Sequence, residues 1–258
     1  MTLRSRTAGV MALLLLLLVC LVATAPARLL GLLLPGEQLV MQGFGGTIWQ
    51  GSASRCLVQV GPGYLHLGAV RWQLHPLSLM TLAPRLSVES QWGSQTLSGE
   101  VVMRGERDLD VRDLSANVSA DLLRQFVPVS LAGTLSLQLE TLRLRGGLPS
   151  AGAGRLVWQR GAWLAPTGPV PLGSYAMEFS QVPGQELVAE ILTLSGPVNA
   201  EGGARLLGRA YSLELLVVGE GALDQRLRQA LSLVARPAGD GFRLKLEGEL
   251  QDGPAGRQ

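Results

Sequence analysis

Very few side chains in this 258-residue sequence are able to do metal or nucleophilic chemistry: two cysteines, Cys20 and Cys56, and two histidines, His66 and His75. Thiolate and imidazole together suit zinc, so Cys56, His66 and His75 make a conceivable three-ligand set. The two histidines, however, stand nine residues apart on strand-like segments, with no HExxH pair or other close ligand spacing. The spacing therefore favours ordinary surface or core histidines over ligands. Cys20 lies in a long apolar run and cannot meet Cys56 within one chain, which leaves no disulfide framework. Cys56 reads as a small buried apolar residue rather than a reactive thiol.

Other constellations fare no better. Asp108, Asp110 and Asp113 are a conceivable cation site, but Arg104, Arg107 and Arg112 are interleaved with them, and the expectation is a solvated, charged loop over Glu106 to Asp113. No serine sits in a G-x-S-x-G elbow, and neither histidine has an evident acid partner. The glycines of Gly43-Phe44-Gly45-Gly46-Thr47-Ile48-Trp49-Gln50-Gly51 are followed by no Gly-Lys-Ser/Thr, so they do not cradle phosphate; they read as the ends of one strand. Asn117-Val118-Ser119 fits a glycosylation sequon by pattern alone. The sequence thus offers no catalytic, cofactor-binding or metal-ligating residue. The expectation is a binding or assembly module rather than an enzyme.

The chain is organised around Ala8 to Ala25, which carries no charge and contains six consecutive leucines, Leu13 to Leu18. About 20 apolar residues cross a bilayer as a helix, so Ala8 to Ala27 is expected to span. Arg4 and Arg6 precede it, and only Arg28 follows closely, which places residues 1–7 in the cytoplasm by the positive-inside rule. Cleavage after Ala23-Thr24-Ala25 is the competing reading, disfavoured by Pro26 just past the cut. Lipoprotein processing at Cys20 is disfavoured by Val19 before it. The short run Leu29 to Leu34, ending at Pro35-Gly36, extends the helix or lies in the interface.

Residues 28–250 are then one large exported domain or two small ones. With 33 Gly, 14 Pro, 16% charged and 5% aromatic residues, the sequence suits a strand-rich body. A net charge of +2, with Lys245 as the only lysine, gives no basic surface for nucleic acid. Val70, Trp72 and Leu74 alternate on one strand face; Leu135, Leu137 and Leu139 do so in Gly133 to Arg145, before the register slips to Leu142 and Leu144 as a bulge near Glu140-Thr141 would cause. Further strands are expected over Cys56 to Val60, Tyr64 to Gly68, Arg85 to Trp92, Thr96 to Arg104 and Leu114 to Ser119. Short alternating segments follow over Tyr175 to Phe179, Glu186 to Leu194, Gly203 to Leu207, Ala210 to Val218 and Phe242 to Leu250. Turns fall at Pro62-Gly63 and Gly93-Ser94, and a helical turn at Leu77 to Met80. Ser119 caps a short helix to Phe126, stopped by Pro128, and Leu223, Leu227, Leu231 and Val234 mark an amphipathic helix, Ala222 to Ala235. Gly146 to Gly154 reads as a loop dividing possible halves 37–145 and 155–250, and 251–258 as a frayed tail.

The order of Gly46-Thr47-Ile48-Trp49-Gln50-Gly51, Trp72-Gln73-Leu74-His75-Pro76-Leu77-Ser78-Leu79, Gly154-Arg155-Leu156-Val157-Trp158 and Gly196-Pro197-Val198-Asn199-Ala200-Glu201-Gly202 resembles the type II secretion system protein N (GspN) family of Gram-negative bacteria. The C-terminal helix, followed by Gly241-Phe242-Arg243-Leu244-Lys245-Leu246-Glu247-Gly248-Glu249-Leu250, is similar to it as well. The resemblance implies a single-span inner-membrane protein with a short cytoplasmic tail and a β-rich periplasmic domain. The short alternating segments punctuated by Gly and Pro themselves imply a mainly β fold, a curved, mostly antiparallel sheet with a few short helices, partly covered by the helix Ala222 to Ala235. The resemblance also implies an accessory role in protein secretion across the outer membrane, with other secretion subunits as partners, and it brings no catalytic residues. The alternative is a membrane-anchored lipid or hydrophobic-ligand carrier, whose groove the leucine stripe would line.

Overall fold

The structure, a computed structural model, describes residues 2–33, 39–60, 63–105, 108–125, 129–221 and 223–250. The turn at Pro62, the stops at Pro35-Gly36 and Pro128, and the tail 251–258 lie outside them. Among the described residues four α-helices, α1 (Thr2–Ala23), α2 (Leu30–Leu33), α3 (Pro76–Leu79) and α4 (Gln225–Val234), accompany fourteen strands. The strands are β1 (Leu39–Gly46), β2 (Gln50–Val60), β3 (Gly63–Leu74), β4 (Arg85–Trp92), β5 (Gln95–Met103), β6 (Leu109–Ser119) and β7 (Leu131–Arg145). They continue as β8 (Leu148–Ala165), β9 (Gly168–Gln181), β10 (Leu187–Ser195), β11 (Val198–Leu207), β12 (Ala210–Gly219), β13 (Arg236–Ala238) and β14 (Gly241–Glu249).

All fourteen form one antiparallel sheet in chain order, except that β14 pairs with β12 and leaves the short β13 at the edge. Each strand therefore pairs with a sequence neighbour, some through tight turns, as at Gly93-Ser94, Gly146-Gly147 and Gly208-Arg209, and others through longer connections, as between β3 and β4 or between β6 and β7. The register joins one residue per strand into an unbroken cross-strand row: Phe44, Ala53, Val70, Ser90, Leu97, Ala116, Leu137, Leu156, Met177, Ile191, Gly202, Leu215 and Leu244. The adjacent row, which period-two alternation puts on the other face, reads Ser52, Arg71, Glu89, Ser98, Ser115, Gln138, Arg155, Glu178, Glu190, Gly203, Glu214 and Lys245. One face of the sheet is apolar and the other polar across its whole width.

Two clusters bury the ends of the apolar face. At the β1–β3 end Ala27 is packed with Ala53, Cys56, Val70 and Trp72; at the other, Leu223 and Leu227 meet Val170, Val198, Ala200, Val217 and Phe242. Burying each large apolar side chain contributes about 1.5–3 kcal/mol. The α4 helix starts where Asp224 accepts a hydrogen bond from the Arg226 amide at 2.8 Å, and it covers only its own end of the sheet.

Several sequence expectations change. Gly146 to Gly154 is not a loop: Gly146-Gly147 is a tight turn, and β8 begins at Leu148 to pair along β7. Its small residues are strand positions, because Gly154 lies under the Phe179 ring and Gly152 against Leu142, leaving no room for larger side chains. Gly43 to Gly51 is not one strand either. Thr47 to Trp49 form the β1–β2 turn, with the Thr47 amide donating to the Gln50 carbonyl at 2.8 Å. The slip near Glu140-Thr141 is present as a register shift between Leu139 and Thr141.

The apolar helix also ends earlier than expected. It stops at Ala23, and the residues after it are pinned against the sheet: Pro26 makes an isolated bridge to Thr47, the Ile48 amide donates to the Ala25 carbonyl at 3.0 Å, and Ala27, which opens a 3-10 turn to Leu29, is buried. Trp49 locks this joint by donating from Nε1 to the Val22 carbonyl at 2.9 Å. Pro26, which lacks an N–H, cannot continue the helix. The described side chains of α1, Met11 and Leu13 to Ala23, are exposed. Among the described residues no helix is long and apolar enough to cross a membrane, and of the expected span Ala8 to Ala27 the side chains of residues 8–10 and 12 lie outside them.

Gly51 seats Trp72 at the joint, since a Cβ there would stand 2.4 Å from the indole and 2.7 Å from the Thr47 carbonyl oxygen. The same indole donates to the Ile48 carbonyl at 3.2 Å. Gly51→Ala should therefore overpack the joint and cost about 1–3 kcal/mol. Urea unfolding followed by tryptophan fluorescence checks this, and an unchanged midpoint contradicts it.

Candidate interaction surface

The structure disperses the residues that sequence spacing offered for chemistry. The His66 ring stacks on Trp92 with centroids 4.8 Å apart, whereas His75 Nε2 lies 3.3 Å from Ser87 Oγ at the opposite end of β3. Cys56 is buried in the core beside Ala53 and Val70, where burial pushes its thiol pKa up and away from nucleophilic use. Among the described residues no group of three His, Cys, Asp or Glu is placed to hold a metal. Asn117 of the sequon sits inside β6, its Oδ1 accepting from Ser136.

From Asp108 on, the acidic segment is not a solvated loop; Glu106 and Arg107 lie outside the described residues. Asp110 lies within β6 and is only 3% exposed, with Arg104 Nε at 2.7 Å from one carboxylate oxygen and Arg145 Nη1 at 2.9 Å from the other. It thereby ties the ends of β5 and β7 across β6. Asp108 accepts from the Gly146 amide at 2.8 Å and fastens the next turn. Asp113 is the extra residue of a bulge, at φ 48°, where β5 and β6 shift register. Alternating charges read as a polar loop because each acid is followed by an arginine or an apolar residue; of the interleaved arginines Arg104 does hold Asp110, but the second partner, Arg145, comes from the end of β7.

The polar face carries a broad recess of about 770 Å³ over β6–β10, lined by Asp113, Glu140, Glu178, Glu190 and Arg155 among others. Arg155 Nε lies 3.5 Å from Glu178. The acids come from different strands, and no histidine, cysteine or lysine lines the recess. It offers a solvated electrostatic surface.

The apolar face has the clearer functional geometry. Its ends are capped, and near the middle Leu122 and Leu123 of the 3-10 turn Ala120–Gln125 roof an apolar cavity of about 190 Å³ with Leu65, Leu67, Leu97, Val118 and Leu135. Between these caps Leu137, Leu156, Met177 and Ile191 continue the row on β7–β10 but fall in neither core cluster. They are half-buried by their own neighbours in the sheet. An apolar stripe crossing four strands without a second layer is what an interaction surface looks like in a sheet protein. The leucine alternation at 135, 137 and 139 marked the stripe in the sequence; its extension through Met177 and Ile191 depended on register.

The chain matches the family described as Type II secretion system (T2SS), protein N over residues 37–245. It is 29% identical over 243 residues to "Type II secretion system protein N" of Aeromonas hydrophila, covering 91% of this chain and 93% of that one. No solved structure matches.

Asp110 yields a pH prediction. Burial by itself would raise its pKa, but the hydrogen bonds and charges of Arg104 and Arg145 outweigh this and hold the carboxyl below its usual value. A carboxyl lowered on folding contributes stability that is complete above its unfolded pKa, near 3.9, and is lost as pH falls through the lower folded value. Asp110→Asn should cost about 1–2 kcal/mol at neutral pH, the half-exposed guanidiniums screening the rest, and should flatten the stability profile below about pH 4. Chemical unfolding of both proteins from pH 7 to 3 tests this; parallel profiles contradict it.

Proposed function

Because the chain belongs to the family of type II secretion system protein N, we propose that it is a non-enzymatic, membrane-anchored component of that machinery, working in secretion across the outer membrane. The apolar helix α1, with the uncharged run from Ala8, anchors it in the inner membrane. Residues 1–7 remain in the cytoplasm and the sheet stands in the periplasm. The observation that carries this reading is the uncapped row Leu137, Leu156, Met177 and Ile191, which offers another periplasmic or inner-membrane subunit a flat apolar seat.

One observation favours a second reading. The apolar cavity under Leu122 and Leu123 opens on the same face, and a groove of this kind suits an acyl chain. The helix α4 does not plug the centre of the face, since it is packed on the β9–β14 end. In this reading the protein carries a lipid or other hydrophobic ligand while anchored.

Leu156→Glu separates a seat for a subunit from a merely structural stripe. It places a charge on the apolar row, whereas Arg155→Glu changes the polar row one residue away. In cells, Leu156→Glu should reduce crosslinking to other secretion subunits by about tenfold or more, roughly 1.4 kcal/mol per decade, and retain secreted substrates in the periplasm. Arg155→Glu should leave both near normal. Equal effects of the two variants contradict the proposed seat, and phospholipid recovered by mass spectrometry without secretion subunits favours the carrier.

A further inference from the structure

We propose that the β3–β4 loop, residues 75–84, rests in the surface of the bilayer that holds α1, with Leu77, Met80 and Leu82 dipping among the lipids. The proposal rests on the anchor reading above and adds a second, independent point of membrane contact. These three side chains are 78%, 82% and 87% exposed, among the barest large apolar groups of the molecule. They do not belong to a slack segment. The Ser78 amide donates to the His75 carbonyl at 3.0 Å, the Met80 amide to Leu77 at 3.2 Å and the Leu82 amide to Leu79 at 3.1 Å, while Ser78 Oγ accepts from the Arg85 amide at 2.8 Å. Leu82 adopts φ 53°, a conformation that glycine takes without strain. A built loop therefore holds its apolar residues outward instead of burying them.

Position decides what it meets. Trp49, bonded to Val22 in the last turn of α1, accepts through its carbonyl from the Leu74 amide at 2.7 Å, and the loop starts at the next residue. With neighbouring strands about 4.8 Å apart, the root of the loop lies on the order of 10 Å from the end of the helix. Residues 75–84 contain no Asp, Glu, Lys or Arg. Tips farther along this end of the sheet carry charge: Arg104 and Asp108 before β6, Arg145 at the close of β7, Glu186 before β10 and Arg209 before β12. The uncharged, apolar tip is thus the one beside α1, and charge appears as the tips move away from it. That gradient matches a lipid surface meeting the sheet at its β1–β4 corner, where apolar loop residues partition into the headgroup and acyl boundary.

The test uses the full chain in vesicles of phosphatidylethanolamine and phosphatidylglycerol. In a Cys20→Ser background, with Cys56 buried, an environment-sensitive fluorophore is attached at Met80→Cys or, at the opposite end of the sheet, at Ser94→Cys. The label at position 80 should be quenched by nitroxide-bearing lipid at least about threefold more than the label at 94, and should be shielded from aqueous iodide. Leu77→Ser combined with Leu82→Gly, which the turn accommodates, should reduce that quenching while the protein stays with the vesicles after an alkaline wash. Equal quenching at 80 and 94 in alkali-resistant vesicles overturns the proposal and leaves the anchor standing. Release by the alkaline wash instead overturns the anchor reading, and shielding that requires added secretion subunits makes the loop a protein-docking element and overturns the lipid contact.

Discussion

Pairing of every strand with its sequence neighbour is the constraint on which the rest depends. In a sheet of this width the side-chain period of two allows no tolerance: a slip of one residue in any hairpin would turn that strand's leucines to the polar face. Where a strand must change register it does so at defined bulges, as at Leu139/Thr141 in β7 or Ser98/Glu100 in β5. The ion pairs of Asp110 reinforce that register between β5 and β7. An apolar row that runs from Phe44 to Leu244 is the cumulative result of thirteen strands keeping step.

The same pairing explains how the end of an apolar helix is fastened to a sheet. The residues after α1 are consumed at once: Ala25 by the Ile48 amide, Pro26 by a bridge to Thr47 and Ala27 by the core around Trp72. Trp49 and Trp72 then donate their indole N–H groups to carbonyls on either side of the joint, Val22 and Ile48. An indole is suited to this because it brings a large apolar body and one polar handle to the same place. Trp158 repeats the arrangement further along the sheet, reaching the Ala132 carbonyl at 3.1 Å.

Much of this was legible from alternation alone. The strands around Trp72, the stripe of Leu135, Leu137 and Leu139, the Arg85–Met103 hairpin and the amphipathic α4 all follow from apolar spacing and turn residues. The slip at Glu140-Thr141 was readable because it moved the leucines by one position. What failed was any place where composition opposed pairing. The glycine and alanine content after Arg145 reads as a loop, yet Gly152 and Gly154 are small because Leu142 and Phe179 occupy the space above them. Asp110 was hidden for a related reason, as its partners Arg104 and Arg145 lie far apart in the chain and only the fold brings them together.

Fourteen strands in a row also set a length. Successive strands lie about 4.8 Å apart, so the β13 edge stands on the order of 60 Å from the β1 edge measured along the sheet. The joint with α1 is at the β1 edge and the α4 cap at the other. A polypeptide tethered through one end of such a ribbon displays its far edge well away from its point of attachment, and it does so with a semi-rigid arm rather than a flexible leash. Because each hairpin contributes two strand spacings, the arm's reach scales with the number of hairpins, about 10 Å for each one gained or lost.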